Sequence, residues 1–450
     1  MLDPHIVLIG AGSAGVGLDT LCDLFAHRDE LAGATIGLVD VDAPALAKVE
    51  RLARRLNAAS GAPFTIQAST DRRTLLPGAE FVIIAVEVNR LPLWRLDWEI
   101  PRRHGVRHIL GENGGPGGLL HALRTVPLVL EIARDIESLC PDALVINFTN
   151  PLSRVCLALS RYTRLNVIGL CHQIGAGLAN VAQTLDLDEN EIDLQAVGIN
   201  HFTWITALRH RRSGADLYPA FRTRLALRPP TFEPLSRRLY DAFGLFPATG
   251  DDHLGEEIGW AWETDPLAAD TAAAVEPALF RSQQGLKAMT AAALDEALHD
   301  DDALAALLDH RSDERIVPVI CGVLHNRPQL EMAVNVVNHG AVRNLPDWIV
   351  IEAPGVVSRT GVQPLAVGDL PAGCAALLQQ RSAIASLTVE AAVHGDRQAA
   401  LQALLLDPVV NSYTAAAALL DDLLAAQAGY LPTFAPTRPA VHAPAAAAHA

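Results

Sequence analysis

A chain of 450 residues is long enough for two or three domains, and at 50% hydrophobic it can bury a large core. Its 35 basic and 51 acidic residues leave a net charge of −16, which argues against a nucleic-acid or anionic-membrane partner. Six cysteines without a pairing pattern fit free thiols in a reducing, cytoplasmic setting better than a disulfide framework.

The opening Met-Leu-Asp-Pro enters a strand at His5 without a charged leader, and no apolar run reaches 18 residues. Neither a secretory signal nor a membrane span is expected. The strand at 5–9 runs into Gly10-Ala-Gly12-Ser-Ala-Gly15 and a helical pattern to about His27; a second strand at 34–39 ends in Asp40. Strands at 81–86, 108–110 and 143–147 follow, separated by helix-period segments near 44–58 and 118–139. Such alternation predicts a parallel sheet covered on both faces. Two more apolar strands, 166–170 and 195–199, run to Cys171-His172 and to Asn200-His201.

Beyond Gly198 the pattern changes. Residues 200–208 alternate like a strand on a wetter sheet, and 215–265 is loop-rich with aromatics. Segments 268–310 and 372–429 are helix-patterned and flank a strand-like stretch at 331–337. The expected fold class is α/β, a Rossmann-type doubly wound parallel sheet followed by a C-terminal α+β domain. The expected limits are residues 1–195, 196–432 and a disordered Pro/Ala-rich tail at 433–450.

Gly10-x-Gly12-x-x-Gly15 gains meaning from the strand before it and the helix after it. The first glycine permits the tight turn, the second the approach of a pyrophosphate, and the third close packing of helix and strand. A phosphate at the helix N-terminus meets unpaired N–H groups. Asp40 suits a ribose diol and repels a 2′-phosphate, so NAD is expected. The bland alternative is a strand–turn–helix junction that binds nothing. Cys171 and His201, each closing a strand, are candidates for a transition-metal site; read alone, they are better taken as a buried core thiol and a satisfied strand-end histidine.

Five segments together resemble glycoside hydrolase family 4, the NAD- and divalent-metal-dependent glycosidases. They are 9–15; Gly111-Glu-Asn-Gly-Gly-Pro-Gly-Gly118; Asn147-Phe-Thr-Asn-Pro151; Cys171-His172 with Gly198-Ile-Asn-His201-Phe; and Asn335-Val-Val-Asn338-His-Gly340 through Pro346. Thr249-Gly-Asp251-Asp-His253-Leu-Gly-Glu256 and Leu387-Thr-Val-Glu-Ala391 also match, so the likeness spans roughly 5–432.

The resemblance implies a Mn²⁺-like ion on Cys171 and His201, shared with adjacent sugar hydroxyls. It implies that NAD⁺ oxidises C3, that a base removes the acidified C2 proton, and that elimination, water addition and re-reduction follow. This route departs from two-carboxylate hydrolysis. Asn150 and Glu112 are implied to bind substrate, and Asn113 stands where relatives often have Thr. His172 is implied as the acid for the leaving group or as a hydrogen bonder that positions substrate. Glu257 stands where many relatives carry Tyr, which moves the expected base to Asp251, with Asp252 in reserve; the bland alternative is a helix cap. The asparagines 335, 338 and 344 are expected to orient loops.

The expected substrate is an unphosphorylated α-glucoside, α-galactoside or α-glycosiduronic acid, because no Ser/Lys phosphate cradle is evident. Arg90, Arg124 and Arg154 are candidates for holding an acidic group on C6. The resemblance further implies a homo-oligomer, dimer or tetramer. The rival reading is an NAD-dependent 2-hydroxyacid dehydrogenase of the lactate/malate dehydrogenase fold, which would need no metal; an NAD-sensing regulator lacks a nucleic-acid-binding module.

Overall fold

A computed structural model describes residues 3–13, 15–61, 64–271 and 278–434. The tail expected at 433–450 lies almost wholly outside them. One sheet of eleven strands organises the chain. Its first half is parallel, in the order β3-β2-β1-β4-β5-β6, from β1 (His5–Ile9), β2 (Thr35–Val39), β3 (Thr65–Ser69), β4 (Phe81–Ile84), β5 (Leu144–Asn147) and β6 (Asn166–Gly169). These strands are short and apolar because helices cover both faces: β4 and β5 are buried at every position.

Past β6 every pairing is antiparallel. β7 (Ile192–Ile199), β8 (Phe202–His210), β9 (Gln329–Val337) and β10 (Val350–Ser358) continue in the order β6-β9-β10-β7-β8, and β11 (Gly361–Pro364) pairs with β10. The expected limit at 195/196 falls inside β7, at a register shift against β8. Among the described residues no helix is long and apolar enough to cross a membrane.

Two expectations change. Residues 108–110 form no strand, although His-Ile-Leu reads as one. Their backbone carbonyls are claimed by indoles, Trp94 Nε1 donating to Leu110 O at 3.1 Å and Trp98 Nε1 to Ile109 O at 3.3 Å. The expected wetter strand at 200–208 begins at Phe202, and its first four residues are all buried. Helix Pro234–Phe243 covers that end, with Trp204 and Phe243 rings 5.6 Å apart. The loop-rich stretch 215–265 thus contains helices Tyr218–Leu225 and Pro234–Phe243.

Candidate active site

The C-terminal ends of β1, β2 and β4 carry the glycine loop and its surroundings. Gly10 turns the chain at φ 95°, and a Cβ there would stand 2.1 Å from Ala85 O, so only glycine fits. Gly12 N donates to Asp40 Oδ2 at 2.8 Å, tying the loop to the end of β2. Helix Val16–Ala26 then starts at Gly15 with no side-chain cap. A Cβ on Gly15 would meet nothing within 4 Å, whereas one on Gly17 would lie 2.7 Å from Ala11 O. Close packing of helix against loop therefore falls to Gly17 instead of the expected Gly15. Gly15 faces open space in front of uncapped N–H groups, the arrangement a phosphate fits.

A second group of residues comes from the ends of β6 and β7 and from the loop 111–114. Cys171 Sγ and His201 Nε2 stand 3.5 Å apart, a separation one first-row cation spans with ligand bonds of roughly 2.0–2.3 Å. His201 is 4% exposed and sits at φ 64°. Burial and then the neighbouring His253 push its pKa well down, so the ring is neutral, as a ligand must be. Burial, with Glu352 nearby, pushes the Cys171 thiol up, which leaves a bound cation to supply the charge that makes it a thiolate.

The other ring nitrogen, His201 Nδ1, lies 3.2 Å from Asn113 Nδ2, while Asn113 Oδ1 is buried without a partner. With the amide turned over, Nδ1–H donates to Oδ1, and Nε2 keeps its lone pair toward Cys171. Asn113 therefore fits the ligand tautomer.

Glu256 organises the loop above. Its Oε2 accepts the backbone N–H groups of Glu112, Asn113 and Gly114 at 2.5, 2.7 and 3.0 Å. Its Oε1 lies 3.0 Å from His253 Nδ1, and the His253 ring lies against His201, centroids 4.1 Å apart. Burial opposes a charge on His253, but Glu256, Glu112 and Asp252 outweigh it and raise its pKa to about 9. His201, His253 and Glu256 bring possible ligand atoms within 4.8 Å of one another. Within this trio Glu256 is already engaged by three backbone N–H groups and by His253, so its carboxylate works as a loop clamp.

Glu112 is 3% exposed and ion-paired through Oε1 with Arg90; the Asn150 amide donates to the same oxygen at 3.3 Å. Burial raises its pKa, yet Arg90 and His253 prevail and hold it at about 2. His172 Nδ1 lies 3.1 Å from Glu314, which raises the imidazole pKa on an otherwise half-exposed ring. Asp251, the expected base, is engaged elsewhere. Its oxygens accept Leu235 N, Ser236 N and Ser236 Oγ at 2.6–2.8 Å, capping helix Pro234–Phe243. Asp252 is exposed, and its Oδ1 accepts the His253 N–H at 2.8 Å.

Model comparison assigns residues 5–187 to "Family 4 glycosyl hydrolase" and 196–410 to "Family 4 glycosyl hydrolase C-terminal domain". An alpha-glucosidase of Erwinia rhapontici is 34% identical over 95% of this chain and 98% of its own. The chain belongs to the family 4 glycosyl hydrolases. A second family 4 relative, a probable 6-phospho-beta-glucosidase of Bacillus subtilis (strain 168), is also 34% identical, over 95% of this chain and 97% of its own. The crystal structure of a 6-phospho-alpha-glucosidase from gut microorganisms, in complex with NAD and Mn²⁺, superposes with a TM-score of 0.81 at 22% identity, covering 96% of this chain and 99% of that one. It shares the fold.

Four features of this candidate site escaped the sequence: Glu256 as the clamp, His253 against His201, Asn113 beside the His201 ring, and Glu352 behind Cys171. Two segments gave a signal as family matches: 111–118, where Asn113 stood out as a departure, and 249–256, without assigned roles for His253 and Glu256. The asparagines divide. Asn338 bonds the carbonyls of Val342, Leu345 and Pro346, and Asn344 bonds Leu370, so both hold loops. Asn335 instead bonds Glu352.

Proposed function

We propose that this glycosyl hydrolase acts on an unphosphorylated glycoside, with NAD in the glycine-loop crevice and a divalent cation such as Mn²⁺ on Cys171 and His201. The observation that carries this reading is the 3.5 Å approach of a half-buried thiol to a neutral imidazole, at the same end of the sheet as an open helix N-terminus. Gly10, Gly12 and Gly15 would cradle the pyrophosphate, and Asp40 the ribose diol. Bound there, NAD supplies reversible two-electron oxidation of a sugar carbon, and the cation supplies Lewis acidity toward its oxygens.

The chain's own groups divide the remaining work. Glu112, held ionised, accepts from sugar hydroxyls, and Asn150 orients it. His172, whose pKa the Glu314 carboxylate raises, is placed to donate a proton to the leaving glycosidic oxygen. Glu256 fixes the loop that carries Glu112 and Asn113. Exposed Leu286 and Met289 on helix Ala278–Ala297 offer an apolar surface for self-association as a dimer or tetramer.

Charge favours an unphosphorylated sugar. Arg90 bridges Glu87 and Glu112, Arg124 bridges Asp97, and Arg381 bridges Glu257 and Asp407. A phosphate dianion would have to displace a carboxylate from one of them. Arg154 supports a second reading, a glycosiduronic acid. It is 5% exposed, its Nη1 is buried without a hydrogen bond, and it lines a cavity with Asn113, Pro151 and Asn200.

Incubation with NAD⁺, Mn²⁺, a reductant and nitrophenyl glycosides (plain, 6-phosphorylated and uronic) tests both readings, following nitrophenol and NADH together. The expected result is nitrophenol from a plain or uronic glycoside without accumulating NADH. Turnover confined to 6-phosphoglycosides, or net NADH formed from 2-hydroxy acids, would overturn it.

A further inference from the structure

Cys171 and His201 follow strands that are not neighbours: β9 and β10 lie between β6 and β7. One row of residues crosses all four strands, with Gly169 opposite Asn335, Asn335 opposite Glu352, and Glu352 opposite Gly198. At the Cys171 end the row closes tightly, because a Cβ on Gly169 would stand 3.0 Å from Asn335 Cβ. In its middle, Glu352 is 0% exposed. Its Oε1 accepts from Asn335 Nδ2 at 2.8 Å and from Asn200 Nδ2 at 3.2 Å. Asn200 immediately precedes His201, and its side chain also bears on the Cys171 thiol.

We infer that Glu352 is a positioning residue for the metal-binding pair: bonded to Asn335 and Asn200 at once, its carboxyl fixes the spacing of the strand ends that carry sulfur and imidazole. The inference rests on the cation site proposed above. A carboxyl inside a sheet is costly where Val or Leu would pack freely, so its use there is the two amides it joins. Glu352 Oε2 and Asn335 Oδ1 are both buried without a donor. One proton on the carboxyl closes an acid–amide ring, Nδ2–H to Oε1 and Oε2–H to Oδ1, and satisfies both atoms. Glutamine in its place reproduces the ring with an N–H donor.

The test compares Glu352→Gln, Glu352→Leu and Asn200→Ala in the full chain. Co²⁺ serves as probe, through its affinity and the sulfur-to-cobalt charge-transfer band, with NAD affinity measured alongside. Glu352→Leu and Asn200→Ala are expected to lose about 10–100-fold in Co²⁺ affinity, with a weakened band and NAD affinity unchanged. Glu352→Gln is expected to stay near the parent. Parent-like Co²⁺ binding in Glu352→Leu, or equal damage in Glu352→Gln, would overturn the role of Glu352. If Glu352→Leu does not fold, Asn200→Ala with Glu352→Gln decides by the same criteria. A parent protein without the band would overturn the cation site itself, and the positioning role with it.

Discussion

Replacing Glu256 by glutamine isolates the clamp that holds the loop 112–114. The carboxylate accepts three backbone N–H groups through Oε2 and faces protonated His253 through Oε1. In the favourable orientation the amide carbonyl keeps the three N–H bonds, but they cease to be charge-assisted, which costs roughly half of about 1.5–3 kcal/mol each. The loop is then easier to open by about 3 kcal/mol, or roughly a hundredfold in its opening constant. The amide N–H groups also now face His253 Nδ1, so its proton is held less tightly. Hydrogen exchange of the peptide spanning 112–114 reads the first effect, and imidazole NMR the second. In the parent, His253 is raised from 6.5 to about 9. The stability it contributes is therefore fully present below about pH 6.5 and is lost as pH rises through about 9; in Glu256→Gln that loss shifts to lower pH. Exchange as slow as in the parent, with His253 still titrating near 9, would refute the clamp.

Gly15→Ala tests the phosphate cradle: its Cβ enters open space at a positive φ, so NAD affinity should fall at least tenfold, with a backbone strain of about 1–3 kcal/mol lowering the unfolding midpoint as well. An unchanged NAD dissociation constant would place the pyrophosphate elsewhere. Asp251→Ala separates cap from base. As a cap its loss destabilises the chain by about 1–2 kcal/mol with kcat within a few fold in urea-free buffer, whereas a thousandfold fall in kcat with full stability would restore the catalytic assignment.

What the sequence made legible follows from locality. Cys171 and His201 each end a short apolar strand, and the glycine loop sits between a strand and a helix, so neighbouring residues gave their context. Glu352 offered no such context. Its partners are 17 and 152 positions away in the chain, and β10 is joined to β6 only through β9. Glu256 was visible as part of a matching segment, but its clamp closes over 142–144 residues, which no local spacing reveals. Asp251 shows the converse: an acidic residue in a matching segment reads as base or cap, and its bonds to Leu235 and Ser236, brought beside it by folding, could not be read from the sequence. The arginines were ambiguous for the same reason, since Asp97 and Glu112, which neutralise Arg124 and Arg90, lie one or more helices away.

The central claim is that one cation joins the Cys171 sulfur and the His201 imidazole beside a bound dinucleotide. Electron paramagnetic resonance titration of free Mn²⁺ with the NAD-loaded protein and with Cys171→Ser measures it directly. One tight site per chain in the parent, weakened by at least tenfold in Cys171→Ser with NAD retained, is the predicted result. Equal Mn²⁺ affinity in the two proteins would contradict it.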